Sequence, residues 1–417
     1  MHEQHCGFDG SSLSLSRFLF IIKEEHMDAQ QVFNQIRRDA AEIVNEEAFL
    51  EKLRSGKKLK IKFGADPSRP DLHLGHTVPF KKLRILQDAG HEIIFVIGDF
   101  TAMIGDPSLK SKTRPPLTFE QTRENGKTYF EQVAKILDPE KTTVVYNSQW
   151  LKALSFEDVL KLAGKFTLAQ ILERNDFSTR YQNGSPIGLH ELFYPLMQGY
   201  DSVALHADIE VGGSDQTFNL LVGRSLQRDY GQDPQVVITF PLLIGLDGTE
   251  KMSKSLNNYI GLCEPAADMY QKCMRVPDAL LGDYFRLTTD LDADVYTALL
   301  NEDIVESHIL FADTIVSTYA GVEDAQSAKL RYKSVAAGST PENLEEIVLE
   351  ERPKNLTELV RLAGLASSNS DARRLILGKG IRLDGALIES PNAVVPLGNT
   401  FVLKRGKNRF IRVLIRG

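Results

Sequence analysis

The stretch KLKIKFGADPSRPDLHLGH, residues 58–76, decides the fold. KLKIKF predicts a strand ending at Phe63. Gly64, Asp66, Pro67 and Pro70 make a loop, and a helix begins near Leu74. The same kind of unit recurs outward from it. EIIFVIG (92–98), TTVVYN (142–147), ADIEVGG (207–213) and VVITFPLLIG (236–245) predict further strands, with helical patterns such as HTVPFKKLRILQDAG and DQTFNLLVGRSLQRDYG between them. Apolar strands spaced by helices predict a parallel sheet covered on both faces, a doubly wound Rossmann-like α/β unit over 27–246. In such sheets ligands sit outside the carboxyl ends of the strands, near helix N-termini. His73 and His76 fall at that place, and Gly75 between them leaves bare backbone on which a flat nucleotide ring could lie. A metal pair would need a third ligand, and no His, Cys or Asp has helpful spacing. A structural role fits either histidine alone; contact with a ligand fits both together.

Strand signals fade beyond the sheet. MDAQQVFNQIRRDAAEIV, from Met27, has the pattern of an amphipathic helix, and residues 247–349 read as a loop followed by helices. A linker with Pro353 leads to a small α+β unit, 353–417, which ends in a strand pair turning at KRGKN. Residues 1–26 are expected to be a disordered extension or a misplaced start; they lack the features of a secretory signal. At 417 residues, 42% hydrophobic and 25% charged, the chain has enough apolar residues for large cores, and no run is long enough to span a membrane. Its three cysteines, Cys6, Cys263 and Cys273, are scattered and odd in number, which fits a reducing cytoplasm and excludes a disulfide framework. The net charge of −7 is uneven: residues 353–417 carry +8, which leaves −15 on the rest. A basic tail on an acidic body points to a polyanionic partner.

A second motif follows the last strand of the α/β unit. GLDGTEKMSKSLNN (245–258) puts Lys251 and Lys254 in a loop rich in Gly, Ser and Asn. Such a loop is expected to be mobile and able to close two ammonium groups over a polyphosphate. Alone it would read as a solvated surface loop; with HLGH in the same unit it does not.

HLGH paired with KMSKS resembles the two signatures of class I aminoacyl-tRNA synthetases. FGADPS, GDFTAMIGDPS, YPLMQGYD and VGGSDQ are similar to stretches of the tyrosyl-tRNA synthetase family, bacterial type, and the C-terminal part resembles an S4-type RNA-binding domain. The resemblance runs from Met27 to Gly417. It implies an ATP-dependent ligase that forms an aminoacyl-adenylate and then charges tRNA. Mg²⁺ would travel on the ATP phosphates, and no metal would be held by the protein. Ser68, His73, Lys251, Lys254 and Ser255 would donate hydrogen bonds to phosphate oxygens, and His76 would pack near the ribose. Lys110 and Arg114, after GDPS, would reach pyrophosphate or else form a surface charge cluster. Gly64, Asp66, Gly75, Asp215 and Met252 would line the nucleotide site, with Asp215 on the ribose.

HELFYPLMQGYDSVAL (190–205) predicts a largely buried helix, yet Tyr194, Gln198 and Asp201 form a polar line at i, i+4 and i+7. They either bond neighbouring helices or face a pocket. By resemblance Tyr194 and Gln198, with Asp106, hold the substrate ammonium, Asp201 accepts the phenol hydrogen, and Gln216 lies close by. Tryptophanyl enzymes share the fold, but YxxxQxxD speaks against them. The chain departs from the better-known pattern at Lys62, where many relatives have a tyrosine that meets the phenol. Phenol recognition then leans on Asp201, with Lys62 pointing away or bridging through water. Phe63 is also bulkier than the residue often beside the ribose. In the tail, Arg373, Arg374, Lys379, Lys404, Arg405, Lys407 and Arg409 are the expected tRNA contacts. The partners implied are L-tyrosine, ATP, tRNA(Tyr) and a second copy of the chain in a homodimer joined through the α/β unit, with no DNA. Two other readings stand beside this one: a class I synthetase or nucleotidylyltransferase acting on another acid, and an RNA-binding protein that kept the fold without catalysis.

Overall fold

A computed structural model describes residues 27–67, 72–107, 119–336, 344–406 and 409–416. The extension 1–26 and the candidate residues Ser68, Lys110, Arg114 and Lys407 lie outside the described residues.

The predicted strands form. β1 (Glu42–Val44), β2 (Lys60–Ala65), β3 (Glu92–Ile97), β4 (Thr142–Tyr146), β5 (Ile209–Gly213) and β6 (Val236–Phe240) make one sheet in the order β1-β6-β5-β2-β3-β4. β2 to β6 run parallel, and β1 closes the β6 edge antiparallel. β6 is buried along its whole length and β3 nearly so, which is why both read as unbroken apolar runs. From β2 the chain winds outward to β3 and β4; it then returns to the other side of β2 to lay down β5 and β6. The order therefore reverses between β2 and β5, and the crevice at their carboxyl ends is where a doubly wound sheet takes its ligand.

Three expectations need correcting. The N-terminal helix stops at Asp39, and the EIV that seemed to continue it is β1. A three-residue strand has too short a pattern to show before its partner β6 is in place. Residues 189–193 form a 3₁₀ turn, and the α-helix starts at Tyr194, which places Pro195 in the first turn, where proline removes no helical hydrogen bond. Finally, residues 345–349 are no part of the helical segment. They are β7 (Glu345–Leu349), parallel to the last strand of the chain.

The helices Ala266–Cys273, Asp278–Thr288, Ala293–Glu302, Ile304–Ala320 and Val322–Ala336 share one buried cluster with the sheet unit. Leu74, Phe80 and Leu83 of the helix Leu74–Asp88 belong to the same buried cluster as Tyr270, Tyr284, Phe285 and Phe311. The C-terminal unit has a separate core of Leu359, Val360, Ile376, Ile381, Leu403, Ile411 and Val413. There β7, β8 (Ile381–Leu383), β9 (Ala386–Leu387), β10 (Thr400–Arg405) and β11 (Arg409–Ile415) form a sheet in the order β7-β11-β10-β8-β9, flanked by helices Leu356–Leu362 and Asn369–Leu377. No described helix is long and apolar enough to cross a membrane.

Candidate active site

The helix that follows β2 begins at His73, which occupies its N-cap. His76, three residues on, accepts a hydrogen bond at Nδ1 from the His73 backbone N–H at 3.2 Å, and the two rings lie 3.8 Å apart. With Nδ1 an acceptor, neutral His76 carries its proton on Nε2. Burial pushes His76 down to about 4, and the ammonium charge of Lys254 pushes in the same direction. His73 is held well below the ordinary histidine range by burial, by His76 and by Lys254 and Lys251. Both imidazoles are therefore neutral donors and acceptors at pH 7. His73 Nδ1 is buried with no hydrogen-bond partner among the described residues, a cost that a polar ligand would relieve.

HLGH and KMSKS lie some 180 residues apart in order, yet the lysines of one set the charge environment of the histidines of the other. The backbone brings them together: His73 bridges Gly261, and Leu74 N–H donates to the Ile260 carbonyl at 2.8 Å. A Cβ on Gly75 would crowd the His73 ring, with Nδ1 at 3.1 Å, and would make an ordinary contact with Met252 Cβ at 3.6 Å, which shows how near the loop lies to the helix start. The loop expected to be mobile is tied down at several points. Ile244 bridges Lys251, Met252 N–H donates to the Leu243 carbonyl at 2.8 Å, and Asn258 Oδ1 accepts from Ser253 N–H at 2.7 Å. Ser255 Oγ lies 2.8 Å from Ser253 Oγ. Lys251 and Asp215, predicted for phosphate and ribose respectively, are joined in a 2.7 Å ion pair.

Across the crevice, the helix Tyr194–Leu205 presents its polar line inward. Tyr194 Oη donates to Asp66 Oδ2 at 3.0 Å, and Thr101 Oγ1 to Asp66 Oδ1 at 2.7 Å. Asp201 is buried and accepts from Trp150 Nε1 at 2.7 Å and Asn147 Nδ2 at 3.4 Å. Asp106 accepts from Arg174 Nη2 and from Gln216 Nε2, each at 2.9 Å. Arg174 also donates to Asn219 Oδ1, and Asn219 Nδ2 in turn reaches Gln198 Oε1 at 2.9 Å and Gln216 Oε1 at 3.0 Å. Asp106, Gln198 and Gln216 are thus locked in one network. Asp66 is pushed up to about 7, chiefly by burial, with the charges of Asp106 and Asp201 adding to it. Asp201 is also raised to about 7 by burial, against a downward pull from Lys62. Three carboxyls share this recess, and Arg174 pairs directly with Asp106 alone among them. The recess is built to take a cation.

Arg174, Asn219, Trp150, Asn147 and Thr101 were not anticipated from sequence. Trp150 is the chain's single tryptophan and was the one of these with a compositional signal. Lys62 points away from the recess, into a buried ion pair with Glu210. Phe63 packs on Phe80 and Phe95 at 5.1 and 5.7 Å between ring centroids, which accounts for its bulk. Gly64 lies exposed at the end of β2. No group of three or more His, Cys, Asp or Glu side chains among the described residues could hold a metal ion.

In the C-terminal unit several expected RNA contacts are partly committed to the fold. Arg405 donates to the Leu365 carbonyl at 2.7 Å, Arg409 to the Gly364 carbonyl at 3.1 Å, and Arg373 to Asn392 at 2.8 Å. Arg374 pairs with Asp371 at 2.8 Å but stays mostly exposed, and Lys404 lies over the Phe410 ring. Lys379 is exposed, in a left-handed turn after its helix.

Residues 54–335 match the sequence model of the family described as tRNA synthetases class I (W and Y). The tyrosine–tRNA ligase of Deinococcus radiodurans is 48% identical over 393 residues, covering 92% of this chain and 96% of that protein. The Aquifex aeolicus tyrosine–tRNA ligase is 45% identical over 390 residues, covering 93% of this chain and all of the relative. Among solved structures, the Archaeoglobus fulgidus tyrosyl-tRNA synthetase complexed with L-tyrosine superposes with a TM-score of 0.58 at 26% identity, covering 72% of this chain and 99% of that one. A C-terminally truncated mitochondrial tyrosyl-tRNA synthetase of Aspergillus nidulans shares the fold, with a TM-score of 0.61 at 19% identity over 73% of this chain and 94% of that one.

Proposed function

We propose that this chain, which belongs to the class I tRNA synthetases of the W and Y type, is a tyrosine–tRNA ligase. The observation that carries the reading is the meeting of HLGH and KMSKS at the switch-point crevice, opposite a buried helix that bears Tyr194, Gln198 and Asp201. The enzyme activates L-tyrosine with ATP and then transfers the tyrosyl group to the 3′ end of tRNA(Tyr).

A tyrosine carboxylate oxygen attacks the α-phosphorus of ATP, and the bond to the β-phosphate oxygen breaks, giving tyrosyl-adenylate and pyrophosphate. The carboxylate is ionised at neutral pH, so no general base is required. Alignment and positive charge do the work. The ammonium of tyrosine settles among Tyr194, Gln198 and Asp106, with Gln216 holding Asp106 in place; Asp66, expected on the nucleotide, is bonded by Tyr194 and is reassigned to this side. Asp201 takes the phenol hydrogen. Its oxygens already accept from Trp150 and Asn147, but a carboxylate has lone pairs for a further donor. A substrate without the hydroxyl would leave this buried carboxyl short of a partner, which is how such a pocket rejects phenylalanine.

On the other side, Gly64, Gly75 and Met252 bound the adenosine, and Asp215 exchanges Lys251 for the ribose hydroxyls. Lys251 then turns to the phosphates beside Lys254, Ser255 and the neutral imidazoles of His73 and His76. Ser68, Lys110 and Arg114 take the phosphate roles that the family resemblance gives them. Mg²⁺ arrives with ATP, borne by the phosphates.

The basic C-terminal unit holds tRNA through Arg373, Arg374, Lys379, Lys404, Arg405, Lys407 and Arg409. We divide the chain into a catalytic unit (27–246), a loop and helical segment (247–344) and an RNA-binding unit (345–417). A homodimer is the assembly that the exposed apolar side chains Phe156, Leu160, Leu168, Tyr181 and Leu189 would suit. The cytoplasm, where the exposed Cys263 thiol stays reduced, is the fitting compartment. Pyrophosphate exchange run with each of the twenty amino acids tests the reading. Tyrosine alone should support it; exchange with tryptophan instead, or with none, would overturn it.

A further inference from the structure

Lys62 and Glu210 stand side by side where the order of the sheet reverses: β2 and β5 pair there, with Lys62 in register with Glu210. Their side chains are 0% and 1% exposed, so the pair is fully removed from water. All three Lys62 protons have acceptors: Glu210 Oε1 at 2.8 Å, the Gln198 carbonyl at 2.9 Å and Ser202 Oγ at 2.9 Å. Glu210 Oε2 accepts from Ser202 Oγ at 3.0 Å and from Gln235 Nε2. Gln235 also donates through Nε2 to the Leu220 carbonyl at 3.2 Å, and Gln227 donates to the Ala207 carbonyl at 2.9 Å. The lysine thus fastens the pocket helix one turn apart, at Gln198 and at Ser202, on either side of Asp201.

Stability is a poor reason for such a pair. Taking two charges out of water offsets most of their attraction, and apolar residues of the same volume often do as well. What a saturated buried pair supplies is one fixed arrangement. The seam around it has the same character. A Cβ at Gly199 would meet Val222 Cγ1 at 2.9 Å and Gly223 N at 3.0 Å, and one at Gly223 would meet Ser202 Oγ at 2.9 Å, so the helices Tyr194–Leu205 and Thr217–Asp229 touch backbone to backbone.

We propose that Lys62, held by Glu210, is a positioning residue for the tyrosine pocket: it sets the height and rotation of the helix Tyr194–Leu205, and so the aim of Gln198 and Asp201 at the substrate. The proposal rests on the tyrosine reading given above. It also answers the departure at Lys62: the side chain acts on the phenol site from behind, through the helix that carries Asp201. Asp201 faces Lys62 from β2, Glu210 from β5, Trp150 and Asn147 from the segment after β4, and Asp66 at the end of β2. Lys62 pulls the Asp201 carboxyl down more strongly than Glu210 lifts it.

The test is the full-length double variant Lys62→Met/Glu210→Gln, neutral and of similar volume. In pyrophosphate exchange its KM for tyrosine should rise about tenfold while KM for ATP stays within about twofold. The pH midpoint of tyrosine binding should move upward. Equal changes in both KM values, or an unmoved midpoint, would leave the pair a structural fixture and overturn the proposal. If the double variant does not fold, Ser202→Ala removes one of the three bonds; it should raise tyrosine KM in the same direction by a smaller factor, and no rise overturns the proposal. Absence of tyrosine-dependent exchange in the unmodified enzyme would instead sink the functional reading on which the proposal stands.

Discussion

The two sides of the crevice are built differently. On the amino-acid side, Asp106, Gln198, Arg174 and Asn219 share one hydrogen-bond network in which Arg174 and Asn219 are buried, and beside it Asp201 is buried on Trp150 and Asn147. On the phosphate side, Lys251, on a loop joined to itself by backbone bonds, pairs with Asp215 from the turn after β5, and both are about a quarter to a third exposed. The difference separates two tasks. Choosing one side chain among twenty needs groups that cannot rearrange to suit the wrong one. Stabilising a phosphate as its charge shifts needs donors already aimed at where that charge develops.

The largest effect should come from a cut that leaves both sides intact. Ending the chain after Ala336 removes β7 with the rest of the C-terminal unit; tRNA charging should be lost while pyrophosphate exchange continues at nearly the same rate. A cut after Arg352 would strand β7 without β11 and blur the result. Next is Lys254→Ala, on the phosphate side. Its kcat for exchange should fall about 10²-fold with tyrosine KM unchanged, as for loss of one charge-stabilising donor; a rise in tyrosine KM would break the separation of tasks. Arg174→Met, on the other side, should do the reverse. It leaves Asp106 buried without its guanidinium, so unfolding in denaturant should show a loss of about 3 kcal/mol, and tyrosine KM should rise more than kcat falls.

The smallest predicted effect is on pH. Asp66 and Asp201 titrate near 7, above their ordinary values, because burial disfavours their charged forms. Stability linked to them is fully present below the ordinary carboxylate range and is lost as pH rises through about 7. The free enzyme should therefore lose some stability between pH 5 and 8. Tyrosine brings an ammonium, which favours the charged carboxyls, so calorimetric affinity should weaken as pH falls from 8 to 6. Asp201→Asn should flatten part of that curve. A profile with no inflection in this range would mean that the carboxyls are less isolated from water than their burial implies.

Much of the fold was legible from sequence because β2 to β6 are strands of five or six residues set between recognisable helices, and β3 and β6 read as continuous apolar runs. β1 and β7 were not, since each is defined by its partner more than by its own residues. The candidate site divided in the same way. Tyr194, Gln198 and Asp201 showed as a polar line on an apolar helix, and the histidines and lysines as motifs. Their supporting residues did not show. Arg174 lies in LERND, an unremarkable charged stretch, and reaches Asp106 across 68 positions of chain. Lys62 showed as a departure from the family pattern, but its partner did not show: Glu210, 148 positions away, is its neighbour in register. Pairings of that kind come from topology, and no local spacing encodes them.

The glycine seam between Gly199 and Gly223 bears on anyone who would re-engineer this pocket for an unnatural amino acid. Mutant libraries commonly vary every position near the bound side chain. Here two of the nearby positions have no room for even a methyl group, and enlarging either would tilt the whole wall of the pocket. Diversity is better placed on the crevice-facing line of the helix, at Gln198 and Asp201, with the seam left unchanged.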